Sequence, residues 1–255
     1  MSNQMKAEWF KLQKNKTFWA LILSIIGISV LLHFLRISGW WQVSGTAFDS
    51  AGLSELNALA VFTIPLLFNL MVSTLAGYYI STEFSPDGVI KNQVISGNKK
   101  SRIFIAKFLI LSLGSILVTI VIPLLTAVIM VCLFGQADIL NLSNIMYLGR
   151  AFSLFTLQFL CFNAVVLWIA IATEDSGKTI IFTLLLSVIM FAIEKLVTQP
   201  FIEMVYENTF FYQFSEVFKY TMTNGETIQS ILIGILSLII ILLCGIFIFN
   251  RKEIN

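Results

Sequence analysis

Gly177, Lys178 and Thr179 close the stretch ATEDSGKT, and Gly-Lys-Thr is how a phosphate-binding loop ends. Such a loop reads G-x-x-x-x-G-K-[ST], follows a strand and opens a helix. Here Ala172 stands where the first glycine belongs, and the preceding LWIAIAT is the tail of an apolar run, not a core strand. No soluble α/β segment elsewhere supplies an acid for magnesium. The stretch therefore reads as a short turn. Asp175 and Ser176 give it turn chemistry, and Lys178 marks the cytoplasmic side. The chain is not expected to hydrolyse ATP itself.

Other chemistry-bearing residues lie inside apolar runs, where an ionisable group is costly and points to function by default. Arg150 sits just inside the start of the fourth run, and Glu194 just inside the end of the fifth. Matched in depth, they are expected either to form an intramembrane pair or to snorkel separately, as Lys195 does. His33, the single histidine, ends the first run and reads as interfacial. One histidine makes neither a metal site nor a relay. Cys132, Cys161 and Cys244 lack paired spacing and read as small hydrophobes, with no disulfide and no metal. Asn69, Ser73 and Gly77, four residues apart, form a small polar stripe that suits helix contact, a dimer seam or a cargo path. Intramembrane hydrolysis would need paired catalytic groups, and none is in view.

The elements that position these residues are membrane helices. The chain is 58% hydrophobic and 12% charged, with a mean hydropathy of +0.90. A soluble domain carries about a quarter charged residues. The net charge of +2 is too small to argue for nucleic acid. A hydrocarbon core of about 30 Å needs about 20 apolar helical residues. Six runs qualify, at 17–35, 56–80, 108–134, 146–171, 179–197 and 229–249, all within a single domain, 1–255. The first is too long for a cleaved signal peptide and has no clean cleavage site. Pro65 and Pro123 are expected to kink the second and third.

Lysine and arginine set the orientation. With the N-terminus in the cytoplasm, the inner side holds Lys6, Lys11, Lys14, Lys16, Lys91, Lys99, Lys100, Arg102, Lys107, Lys178, Arg251 and Lys252, which is twelve of the sixteen. Both termini are then cytoplasmic. Residues 1–16 form an interfacial helix: Met5, Trp9 and Leu12 share one stripe, with Lys6, Lys11 and Lys14 away from it. The helix reads as a lysine-rich anchor or as a contact for a partner.

The longest inner connection runs from Ser81 to Lys107, too long for a simple turn. SPDG, Ser85–Gly88, stops the second span. VIKNQVIS then forms about two helical turns, with Val89, Ile90 and Val94 on one side, Lys91, Asn92 and Gln93 on or beside the other, and Gly97 as the stop. Between 198 and 228, Pro200 opens one short outer helix. A second, from Phe211, aligns Phe211, Phe214, Val217 and Phe218, with Glu216 and Lys219 elsewhere. These helices dip into the outer leaflet or cap it. Trp40 and Trp41 read as an aromatic belt.

Glu83, Gly88, Ile90, Lys91, Asn92, Gly97, Ser101, Arg102 and Lys107, in this order, resemble the first inner loop of ABC-2 type permeases. The six-span layout resembles that family along the whole chain. The resemblance implies an all-α membrane protein with a cytoplasmic coupling helix between spans 2 and 3, which docks into a separate ATPase subunit. It also implies an N-terminal connecting helix, two outer re-entrant helices between spans 5 and 6, and a homo- or heterodimer. ATP and Mg would bind the partner ATPase, and no cofactor would bind this chain. The opening MKAEWFKLQKNKTFW and the lack of a large outer domain resemble permeases of antimicrobial-peptide immunity and phenol-soluble modulin export. Amphipathic peptide cargo and a bacterial plasma membrane follow from that likeness. Export of drugs, sodium or another small solute, a glycan permease, and a non-transporting sensor share the layout.

Overall fold

The computed structural model describes residues 2–84, 89–196 and 199–252, and every regular element among them is helical. α1 (Ser2–Lys14) is joined to α2 (Lys16–Ile37) by Asn15 alone. The Asn15 side chain accepts the Phe18 N–H, capping α2, and its amide donates to the Tyr78 carbonyl. That one residue fixes α1 as a separate helix across the end of the bundle. After the short α3 (Ala47–Ser50) come α4 (Leu59–Thr63) and α5 (Pro65–Tyr79), then α6 (Ile90–Ile95). α7 (Lys100–Ile116) runs through a π-helical turn, Leu117–Val121, into α8 (Ile122–Phe134). α9 (Leu142–Thr173), α10 (Ser176–Leu196), α11 (Pro200–Glu207), α12 (Phe210–Glu216) and α13 (Asn224–Arg251) complete the chain.

Among the described residues, five helices are long and apolar enough to cross a membrane: α2, the continuous α7–α8, α9, α10 and α13. The run at 56–80 is not one helix, contrary to expectation. Pro65 has no N–H and forces the preceding residue out of the helical region, so Ile64 is extended (φ −68°, ψ 126°) and two helices meet there. Pro123 does less, because the π-turn just before it absorbs the missing hydrogen bond. The other spans outrun their apolar cores: the third begins at Lys100, the fourth covers 142–173 and the sixth 224–251. Polar ends extend a helix past the hydrocarbon without penalty, so apolarity alone underestimates length.

α9 is the central post. Phe155, Phe159, Phe162, Val166, Leu167 and Ala170 on it are all buried. The Phe68 ring of α5 meets Phe155, Phe159 and Phe162, with centroids 5.2–5.8 Å apart, and Phe214 of α12 closes the cluster at 4.8 Å. Thus α12 buries Phe210, Phe211 and Phe214 in the bundle, followed by Val217 and Phe218, while α11 leaves Phe201, Met204 and Val205 exposed.

The stripe Asn69–Ser73–Gly77 faces α10 of the same chain. The Asn69 amide donates to the Thr183 carbonyl and Ser187 Oγ, both at 2.6 Å. A Cβ on Gly77 would lie 3.0 Å from the Ser176 carbonyl oxygen. The stripe is therefore a packing seam within the chain, its side chains buried against α10 instead of open to a second copy. Asn69→Leu is expected to cost only about 1 kcal/mol in detergent unfolding, since hydrogen bonds between membrane helices are worth about that or less.

His33, about a turn from the end of α2, is buried, with Nδ1 2.7 Å from the Ser29 carbonyl oxygen. Ser29 in turn meets Thr126 of α8. Cys161 is buried as expected, but Cys132 and Cys244 are on the exposed surface.

Candidate functional site

At the end of the bundle that holds α1, four charged side chains close a ring. Lys11 Nζ lies 2.7 Å from Glu8 Oε1 and 2.9 Å from Glu83 Oε1. Lys107 Nζ lies 3.2 Å from Glu8 Oε2 and also pairs with Glu83 Oε2. Each carboxylate gives one oxygen to each lysine, so the ring is neutral and every charge has two partners. Lys107 is fully buried, and Glu8 is only 2% exposed. Such burial is tolerated only when charges are paired and their remaining sites bonded. The extra partners are present: Tyr79 OH donates to Glu8 Oε2 at 2.8 Å, and Gln93 Nε2 to Glu8 Oε1 at 3.0 Å.

The ring and its two partners join five elements. Glu8 and Lys11 come from α1, Tyr79 from α5, Glu83 from the 3₁₀ turn that ends the second run, Gln93 from α6, and Lys107 from α7. Burial opposes the charge on Glu8, but Lys107 and then Lys11 outweigh it and lower the carboxyl from 4.5 to about 2. Burial also opposes the charge on Lys11. Glu83 and Glu8 outweigh that and raise it above 10.5.

α6 rests on this ring. Ile90 is buried and Val94 packs against the core, while Val89 is 46% and Ile95 73% exposed, with Lys91 and Asn92 exposed beside them. The expected Val89–Ile90–Val94 face is thus divided: Ile90 and Val94 point inward, and Val89 joins Ile95 outward. The helix ends at Gly97 (φ +82°), where the Gly97 N–H reaches the Val94 carbonyl and the Asn98 N–H the Gln93 carbonyl. This double closure needs a left-handed residue. Gly97→Ala is expected to cost about 1–2 kcal/mol locally, seen as faster hydrogen exchange over 90–98 with little change in global unfolding. Gly88 lies outside the described residues. Arg102 is exposed in the first turn of α7.

On α1, Leu12 is buried and Trp9 is 37% exposed, and the face packed on the bundle runs through Glu8 and Leu12. A second set of contacts gathers the remaining helix ends here. Lys252, after α13, pairs with Glu174 (2.6 Å), donates to the Ile171 carbonyl and lies over the Phe84 ring. Lys100 donates to the Asn250 and Lys252 carbonyls. The last turn of α13 therefore lies at the same end of the bundle as α1. The SGKT residues start α10 in this region, with Asp175 Oδ1 accepting the Lys178 N–H and Ser176 Oγ donating to the Gly77 carbonyl.

Arg150 and Glu194 do not pair. Arg150 donates to the Lys219 and Tyr220 carbonyls, which follow α12 with no helix to satisfy them. Glu194 takes Lys195 at 2.6 Å and the Tyr206 hydroxyl at 3.1 Å. Equal depth leaves the direction around each helix open, and both groups found partners closer by.

The family model of the ABC-2 family transporter protein matches residues 4–193, which is 190 of the 255 residues. The chain belongs to that family. No curated protein and no solved structure matches it. As an ABC-2 permease it is the membrane subunit of an ABC transporter, and such permeases generally work with a separate ATPase subunit. The matched region contains the whole charge ring and α6. The sequence points to Glu83, Lys91, Asn92 and Lys107 of this permease and places Lys11 and Gln93 on their helices without a role, whereas Glu8, Tyr79 and Ile95 go unmarked. One signal for Glu8 was available: it is the only acid in the first 48 residues.

Proposed function

We propose that this permease exports hydrophobic or amphipathic peptides, driven by an ATPase that docks on α6. One observation carries the reading. α6 shows an outward face of Val89, Lys91, Asn92 and Ile95, while its inward Gln93 is bonded into a buried charge ring shared with α1 and α7. An apolar pair flanked by a lysine and an amide suits a cleft on a partner. A push on α6 reaches α1 through Glu8 and α7 through Lys107. The ATPase can shift the spans only as far as its two nucleotide states differ in affinity for this face.

In this reading six spans cross a bacterial plasma membrane, with the α4–α5 segment as the second. Both termini are cytoplasmic, and two permease copies act together. α11 and α12 are the outer re-entrant pair. ATP and Mg act on the partner, and this chain hydrolyses nothing. The lysine-rich end of the bundle and the family's dependence on a separate ATPase support this arrangement; the peptide cargo rests on resemblance.

The test is co-purification with candidate ABC ATPases in detergent, comparing wild type with Ile95→Asp and with Lys91→Glu plus Asn92→Ala. These side chains are exposed, so folding is expected to be unchanged. Association is expected to fall at least tenfold in each variant. ATP-driven uptake into inverted vesicles, whose cytoplasmic face is outside, then separates amphipathic peptides from small cations as cargo. An ATPase that binds both variants as tightly as wild type overturns the docking assignment.

A further inference from the structure

At the other end of the bundle a cavity of about 540 Å³ lies between the break in the second run, the last turns of α10, and α12. Its wall includes Ile64 and Leu66 from the break, Val188 and Phe191 from α10, and Phe214 from α12. Glu194, Lys195 and Tyr206 form its polar edge. We propose that this cavity binds one acyl chain of a membrane phospholipid, with the headgroup held at Glu194 and Lys195. The site does not depend on which cargo the permease exports.

Three observations support this occupant. First, the wall continues onto the outside of the bundle: Ile64 is 50%, Leu66 53%, Val188 52% and Phe191 62% exposed. In a membrane protein these side chains face hydrocarbon, so the molecules that reach the cavity by diffusion are lipids. Second, the wall is mainly apolar, with Pro65, Met190, Phe211 and Phe218 beside the residues above, and its charged groups are confined to one edge, the layout that an acyl chain with its headgroup fits. Third, the polar edge has both signs at the end of a span, where headgroups lie. Lys195 is exposed and is paired with its neighbour Glu194, whose other oxygen accepts from Tyr206. A phosphate can take the lysine, and a headgroup ammonium the carboxylate.

The experiment uses the full chain in vesicles of phosphatidylcholine and phosphatidylglycerol, with a phosphatidylcholine that carries a photoreactive diazirine within one acyl chain. Cross-links are mapped by peptide mass spectrometry. They are expected to concentrate at residues 60–66 and 187–195. Ala60→Phe, which fills the cavity, and Val188→Trp, which blocks its exposed side, are expected to lower the yield there roughly tenfold, the factor set by about 1.4 kcal/mol of lost binding. Lys195→Ala is expected to lower it as well, and its exposed side chain leaves the fold intact. Leu236→Trp, exposed on α13, serves as the control and should change nothing. The proposal is overturned if cross-links spread evenly along α2 and α13, or if Lys195→Ala and Val188→Trp leave the pattern unchanged. It is equally overturned if a photoreactive amphipathic peptide labels the cavity residues and the lipid does not.

Discussion

Lys107→Met is expected to lower stability by about 3–5 kcal/mol, the cost of removing one partner from a buried ion pair. The methionine fills similar space, so little of the loss comes from packing. What remains is the problem: Glu8 and Glu83 lose their fully buried cation, and Lys11, a quarter exposed, must serve both carboxylates alone. Unfolding in mixed micelles measures the loss. Glu83→Gln in the Lys107→Met background is expected to recover part of it, because it removes one stranded charge. Additive losses in that double-mutant cycle would show that the ring does not act as a unit. The pH profile gives an independent check. Glu8 has a folded pKa depressed to about 2 from 4.5, so its contribution is present above pH 4.5 and is lost as the pH falls toward 2. Lys11 is raised, so its contribution holds below 10.5 and is lost above it. Stability at this end should therefore be flat from about pH 5 to 10. Glu8→Gln should remove the acid limb.

Phe214→Ala is expected to cost about 3–5 kcal/mol. The ring is 3% exposed and meets Phe68, Phe155, Phe162 and Phe211, so removing it leaves a void in the tightest aromatic cluster of the bundle. Lipid tails are as apolar as phenylalanine. The loss is thus one of packing, not of transfer out of water. Phe201→Ala on α11 is the comparison: that ring is 72% exposed, and its loss should fall within about 0.5 kcal/mol. If both substitutions cost the same small amount, α12 lies on the bundle as a loose cap and does not pack into it.

Much of this architecture was legible in the sequence, because twenty-residue apolar runs leave few alternatives to a membrane helix. The short helix ended by Gly97, the one opened by Pro200 and the Phe211–Phe214–Phe218 face could all be read from local rules. Four features could not. Pro65 was read as a kink, but whether a proline bends or divides a helix depends on what surrounds the gap. Arg150 and Glu194 matched in depth, yet depth does not say which way a side chain points around its helix. Lys107 was counted among cytoplasmic surface charges. Only the tertiary approach of α1 shows it to be fully buried. Glu8 was missed because an apolar stripe was sought on α1, and the buried face of that helix is partly ionic.

The ring has a consequence for how the chain is made. Its two acids and Lys11 lie in residues 8–83, whereas Lys107 enters with the third span. A nascent chain that has released only its first two spans carries two carboxylates bound for burial and a single lysine to answer them. α1 can settle against the bundle only after α7 has left the ribosome. Synthesis stalled between these points leaves Glu8 and Glu83 without the buried cation that the folded chain gives them. The Lys252 contacts to Ile171 and Glu174 form later still, once α13 has been translated.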